Sequence, residues 1–182
     1  MRKLVCLVLV LLGLGIGSGA QSLDLALGAG SAAGGHVQYG FWPSASATVM
    51  VSKHVGLNAD FAARATNYSS FGLGQYRPST MDFNLVMRAN PMRWTPEVQI
   101  GYAAVRTSSG IGCDVFFPGV PCYGDPSQRQ SALHLGGGIK SYFAPRWFVR
   151  FEAHWFARPA INGFSFSTFR FGASIGYTFG KP

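Results

Sequence analysis

Few residues of this 182-residue chain are placed to carry out covalent chemistry. The four histidines, His36, His54, His134 and His154, are the first candidates for a general base or a metal ligand. None has a serine two positions on, so no His-x-Ser pair sets a nucleophile beside its base. His154 lies two residues from Glu152, a spacing that puts both on one face of a strand and could orient an imidazole. No serine is placed against it, and a histidine satisfied within a polar core is the preferred reading. Gly136-Gly137-Gly138 is not a phosphate loop, because no helical pattern follows it. Cys113 and Cys122 supply half a zinc shell at most, with no histidine nearby. No catalytic, cofactor-binding or metal-binding residue is expected.

The scaffold that would have to position any such group is more legible. The stretch Ser167 to Phe179 alternates Phe169, Phe171, Ala173, Ile175, Tyr177 and Phe179 with Thr168, Arg170, Gly172, Ser174, Gly176 and Thr178. Successive side chains of a strand point to opposite faces, so one face is large and apolar and the other small or charged. A transmembrane β-strand needs ~9–11 tilted residues, apolar toward lipid and polar toward the lumen. This stretch meets both conditions.

The amino terminus agrees. Met1-Arg2-Lys3, an apolar run from Leu4 to Ile16, and Gly17-Ser18-Gly19-Ala20 read as a signal peptide over 1–20, leaving one domain over 21–182. Export to an oxidising compartment makes Cys113 and Cys122 a disulfide-bonded pair closing a loop. The formal charge of +8 comes from basic residues scattered singly along the chain, which argues against nucleic acid as a partner.

Seven further stretches alternate in the same way. Their apolar rows are Leu23 to Ala29, Ala45 to Val51, Leu57 to Ala65, Met81 to Met87, Val98 to Ala104, Leu133 to Ile139 and Trp147 to Trp155. With each frame set by its apolar residues, Asp24, Asp60, Arg64, Asp82, Arg88, Glu97, Lys140, Arg150, Glu152 and Arg170 all fall on the opposite, inward row. Connections alternate long and short, with short turns at Lys53-His54-Val55, Asn90 to Trp94 and Tyr142 to Arg146, and long loops over Ser31–Pro43, Asn67–Ser79, Thr107–Arg129 and Ala157–Phe166. These features predict an all-β fold, an eight-stranded antiparallel transmembrane up-and-down β-barrel with short periplasmic turns and long outer loops. The interior of such a barrel is about wide enough for its own side chains. Five acids and five bases inside it read as a salt-bridged lumen. Trp94, Tyr142, Trp147, Tyr177 and Phe179 at one end and Trp155 at the other are the expected aromatic girdles.

The run Leu133-His134-Leu135-Gly136-Gly137-Gly138-Ile139-Lys140-Ser141-Tyr142 followed by Trp147-Phe148-Val149-Arg150-Phe151-Glu152-Ala153 resembles the last hairpin of outer-membrane β-barrel domain proteins of the OmpA/OmpX type. The turn Lys53 to Leu57 and the terminal Tyr177-Thr178-Phe179 are similar to that family as well. The resemblance implies a monomer in the outer membrane of a Gram-negative-type bacterium, contacting lipid and inserted by the barrel assembly machinery. It further implies a protein that is structural or meets an extracellular ligand through its loops, with no cofactor. The competing readings are a lipid A-modifying barrel enzyme, a small pore, and a soluble lipocalin-like periplasmic barrel.

Overall fold

The computed structural model describes residues 21–33, 40–66, 68–70, 74–89, 93–110, 127–157 and 167–180. The signal-peptide stretch, Cys113 and Cys122 lie outside the described residues. The strands are β1 (Ser22–Ala33), β2 (Trp42–Met50), β3 (Val55–Ala63), β4 (Tyr68–Ser70), β5 (Gly74–Arg88), β6 (Trp94–Gly110), β7 (Ser127–Tyr142), β8 (Trp147–Ala157) and β9 (Ser167–Gly180). Neighbours pair antiparallel in the order β3-β2-β1-β9-β8-β7-β6-β5, and β3 pairs with β5, so eight strands close on themselves. The three-residue β4 is an extra strand laid on the far end of β5.

Register fixes the barrel's shape. Starting at Asp24 and following paired residues through Thr48, Asn58, Asn84, Gly101, His134 and Phe156 leads to Thr168 of β9. Crossing directly from Asp24 to β9 leads to Thr178, ten residues further along. With ~3.3 Å per residue and ~4.8 Å between strands, a stagger of ten around eight strands tilts them about 41°. Every strand then advances its side chains around the lumen as well as along it, and residues distant in sequence meet inside.

The alternation sorts the side chains by size and charge. Leu27 is 69% exposed and Leu133 63%, while Lys140 is 1% exposed. Phe61, Phe83, Ile100, Phe151, Phe171 and Ile175 belong to the same outward belt. Large apolar residues outside and ions inside are the reverse of a soluble barrel enclosing an apolar cavity, so the lipocalin-like alternative is set aside.

The strands depart from the sequence reading at their ends. Much of the expected loop Asn67–Ser79 is β4 and the first part of β5, and the expected loop Thr107–Arg129 is shortened by β6 and β7 from both sides. Those residues are mostly polar or glycine, with only Tyr68, Tyr76 and Pro78 as exceptions, so they give no apolar period to read. Conversely, β2 stops at Met50, because the Val51 and Ser52 amides both donate to the Val55 carbonyl, at 3.0 and 3.1 Å, and turn the chain. Trp42, expected in a loop, opens β2 and is buried.

Candidate functional site

The barrel lumen holds nearly all the buried polar groups, and they fall into three tiers. The tier beside the short turns is built around Asp24. Its Oδ2 accepts from Lys140 Nζ at 2.6 Å and Arg88 Nη2 at 2.8 Å, and its Oδ1 accepts from Thr178 Oγ1 at 2.6 Å. Arg88 also donates through Nε to Glu97 at 2.7 Å, which makes a compact group of two acids and two bases. Lys140 Nζ lies 3.9 Å from the centre of the Phe148 ring, which is wholly buried at this end. Because the Thr178 hydroxyl proton goes to Asp24, Tyr142 is the donor in its 3.1 Å bond to Thr178 Oγ1.

The middle tier is mostly neutral. Asn58 donates to Thr48 Oγ1 at 2.9 Å, and Asn84 Nδ2 donates to Asn58 Oδ1 at 3.2 Å and Gln99 Oε1 at 3.5 Å. Arg150 crosses the lumen to donate to Ser46 Oγ at 2.7 Å, and its Nε lies 2.7 Å from Glu152 Oε2.

In the tier toward the long connections, Arg170 donates to Thr80 Oγ1 at 2.7 Å, to Asp60 Oδ1, and to Asp82 Oδ2 at 3.3 Å. His134 bonds Asn84 Oδ1 through Nδ1, and its Nε2 lies 2.8 Å from His154 Nδ1. Gly101 sits between Asn84 and His134 in the sheet, and its missing side chain lets the two meet over it. Above this tier, Ala32, Trp42 and Ala62 form one buried apolar cluster and Ala103, Ala132 and Phe156 another. Arg64 is buried beside them, against the backbone of Gly40.

All ten inward charges are therefore buried, and they are drawn into separate groups rather than one column. Burying an ion in a lumen this narrow is costly unless it is paired and hydrogen-bonded. Neither buried histidine contacts a serine hydroxyl among the described residues.

On the outer surface Trp94, Trp147 and Phe179 are exposed near the short turns. Trp147 and Phe179 flank Tyr177 edge-on at 5.2 and 4.8 Å, and Arg146 donates to the Tyr177 hydroxyl at 3.2 Å. Trp155 stacks with Phe169 toward the opposite end. Tyr142 is not part of this surface. The alternation that turns Lys140 inward carries Tyr142 with it, and the ring lies edge-on to Phe148 beneath the ammonium group.

Sequence reasoning missed three things here. The apolar caps Trp42 and Phe156 lie at strand ends, where loop-like composition or a single aromatic among charges hides them. The His134–His154 pair and its approach to Asp82 join three different strands, and only the register reveals them.

No protein-family model and no curated protein matches the chain. Solved structures do match in architecture. Neisserial surface protein A (NspA) superposes with a TM-score of 0.64 at 12% identity, over 87% of this chain and 96% of that one. The N-terminal β-barrel domain of Pseudomonas aeruginosa OprF gives 0.60 at 14% identity, over 88% and 99%. Ail, the attachment invasion locus protein of Yersinia pestis, in complex with the heparin analogue sucrose octasulfate, gives 0.55 at 13%, over 87% and 98%. The chain has the fold of the eight-stranded outer-membrane barrels.

Proposed function

We propose that this chain is a non-enzymatic outer-membrane barrel, exported by a signal peptide over 1–20, that is structural or presents its long connections outside the cell. One observation carries the reading: among the described residues, an apolar belt surrounds a lumen of buried ion groups, with Phe148 buried toward one end and Trp42 and Phe156 toward the other. The belt suits a hydrocarbon solvent, in which closure also removes the exposed sheet edges that lipid cannot tolerate. Buried side chains occupy the lumen along its length among the described residues, which disfavours a pore. Among the described residues no serine hydroxyl bonds the ring of His134 or His154, which disfavours a lipid A-modifying enzyme.

In this orientation the three short turns face the periplasm, with Trp94, Trp147, Tyr177 and Phe179 at headgroup level. Outer-membrane lipid is the constant partner, and the barrel assembly machinery is the partner during insertion. The long connections and the strand ends beside them carry Tyr39, Phe41, Tyr68, Phe71, Tyr76, Phe116 and Phe117, a set suited to an extracellular ligand. Cys113 and Cys122 brace the longest connection as a disulfide, which peptide mapping without reductant would detect as a linked pair.

Planar-bilayer recording separates the readings, together with lipid A profiling of a deletion strain. The account expects a silent membrane and unchanged lipid A. Reproducible conductance steps would replace it with a pore, and altered acylation would replace it with an enzyme.

A further inference from the structure

The His134–His154 pair has a property that its role as lumen filling does not explain. The far nitrogen of His134 faces an acceptor, and that of His154 points at a carboxylate beyond hydrogen-bond distance. His134 Nδ1 faces Asn84 Oδ1, and that amide cannot present its NH2 instead, because Asn84 Nδ2 is donating to Asn58 and Gln99. His154 Nε2 faces Glu152 Oε1 at 3.6 Å and has no hydrogen-bond partner of its own. A ring nitrogen that faces an acceptor carries the N–H, and a neutral imidazole has only one. His134 Nε2 is therefore a lone pair, 2.8 Å from His154 Nδ1. His154 Nδ1 donates to it when His154 carries its N–H there, and faces it with a second lone pair when the N–H sits on Nε2, toward Glu152. The first tautomer leaves His154 Nε2 unsatisfied, and the second takes a cation between the rings in place of the proton.

Asp82 supplies the third side. Its Oδ2 is held by Arg170, which is itself neutralised by Asp60, while its Oδ1 is fully buried and has no hydrogen-bond partner. One ligand atom from each of Asp82, His134 and His154 can be chosen so that all lie within 4.8 Å of one another. The floor of the site is a glycine: a Cβ built on Gly136 would lie 3.0 Å from His154 Nδ1 and 3.1 Å from His134 Nε2.

We propose that this chain binds a divalent transition-metal ion of the zinc, nickel or copper class inside the barrel, through His134 Nε2, His154 Nδ1 and Asp82 Oδ1. Imidazole and carboxylate are the donors such ions select. Ligating histidines usually donate their other N–H to a carboxylate or carbonyl, the part that Glu152 and Asn84 play here as positioning residues. Tetrahedral zinc holds nitrogens ~2.0–2.1 Å away, so the two rings separate by about half an ångström on binding.

The test refolds the mature chain into detergent micelles with EDTA or with Zn2+, removes free metal by gel filtration, and counts zinc by mass spectrometry. Folding is scored separately by heat-dependent gel mobility. The expected result is one zinc per folded wild-type chain and less than a tenth of that in the His134→Gln/His154→Gln double variant. Gly136→Ala, which sets a methyl group against both ligand nitrogens, should also lose it, whereas His54→Gln on an exposed turn should retain it. Should the double variant not fold, Gly136→Ala and the visible spectrum of Co2+-loaded wild type decide the matter, a strong tetrahedral band being expected. Folded wild type without retained zinc and without that band overturns the site, as does equal retention in any folded His134/His154 or Gly136 variant. In that case a shared proton holds the pair together.

Discussion

Arg88 offers the sharpest test of the lumen as a set of balanced ion groups. It lies between Asp24 at 2.8 Å and Glu97 at 2.7 Å, and all three side chains are buried. Arg88→Met keeps most of the volume and removes the charge. Asp24 retains Lys140 at 2.6 Å, but Glu97 loses its one ion-pair partner among the described residues. The group passes from two acids and two bases to two acids and one base. Stranding a buried charge in this way costs ~3–5 kcal/mol. Adding Glu97→Gln removes the stranded charge and leaves Asp24 and Lys140 as a balanced pair. The double variant should therefore be more stable than the single one by about 2 kcal/mol, although it carries one more substitution. Urea unfolding and refolding in lipid vesicles, followed by tryptophan fluorescence, measures both. A single variant within about 1 kcal/mol of wild type would refute the reasoning. So would a double variant no more stable than the single.

Three other perturbations address separate parts of the account. Leu27 is 69% exposed on the belt, so Leu27→Arg should cost ~2–4 kcal/mol in vesicles, while Leu27→Ala should cost much less; the same unfolding assay compares them. Phe148 is wholly buried under Lys140, and Phe148→Ala should cost ~3–5 kcal/mol and lower the temperature at which the unheated gel band is lost. A Cβ on Gly101 would overlap the Phe83 carbonyl oxygen and approach Asn84 Oδ1 to 2.5 Å, so Gly101→Ala should cost ~1–3 kcal/mol, read from its urea midpoint.

The architecture was legible because a membrane barrel writes its two solvents into alternate residues. Leu23, Leu25 and Leu27 against Asp24 declare an inside and an outside without any knowledge of partners. The frame that turned Asp24, Arg88, Glu97 and Lys140 to one side could not say that they form one group. That group depends on a ten-residue stagger, which is a property of ladder pairing and leaves no mark on any single strand. The same limit hid the approach of Asp82 to a histidine pair formed across β7 and β8. The polar ends of β5, β6 and β7 were read as loop because strands that rise out of lipid lose the apolar half of their pattern. Tyr142 shows the opposite error, since an aromatic residue near a turn suggests a girdle whereas its parity with Lys140 places it inside.

The central claim is that these strands close into a barrel whose outer face meets lipid. Gel mobility of the membrane-extracted protein in SDS, unheated against boiled, tests it most directly. The account predicts that the protein is found in the outer-membrane fraction and that its unheated band migrates apart from the boiled one, because a closed barrel resists the detergent until heated. A single band unmoved by boiling, from protein recovered in the soluble periplasmic fraction, would contradict it.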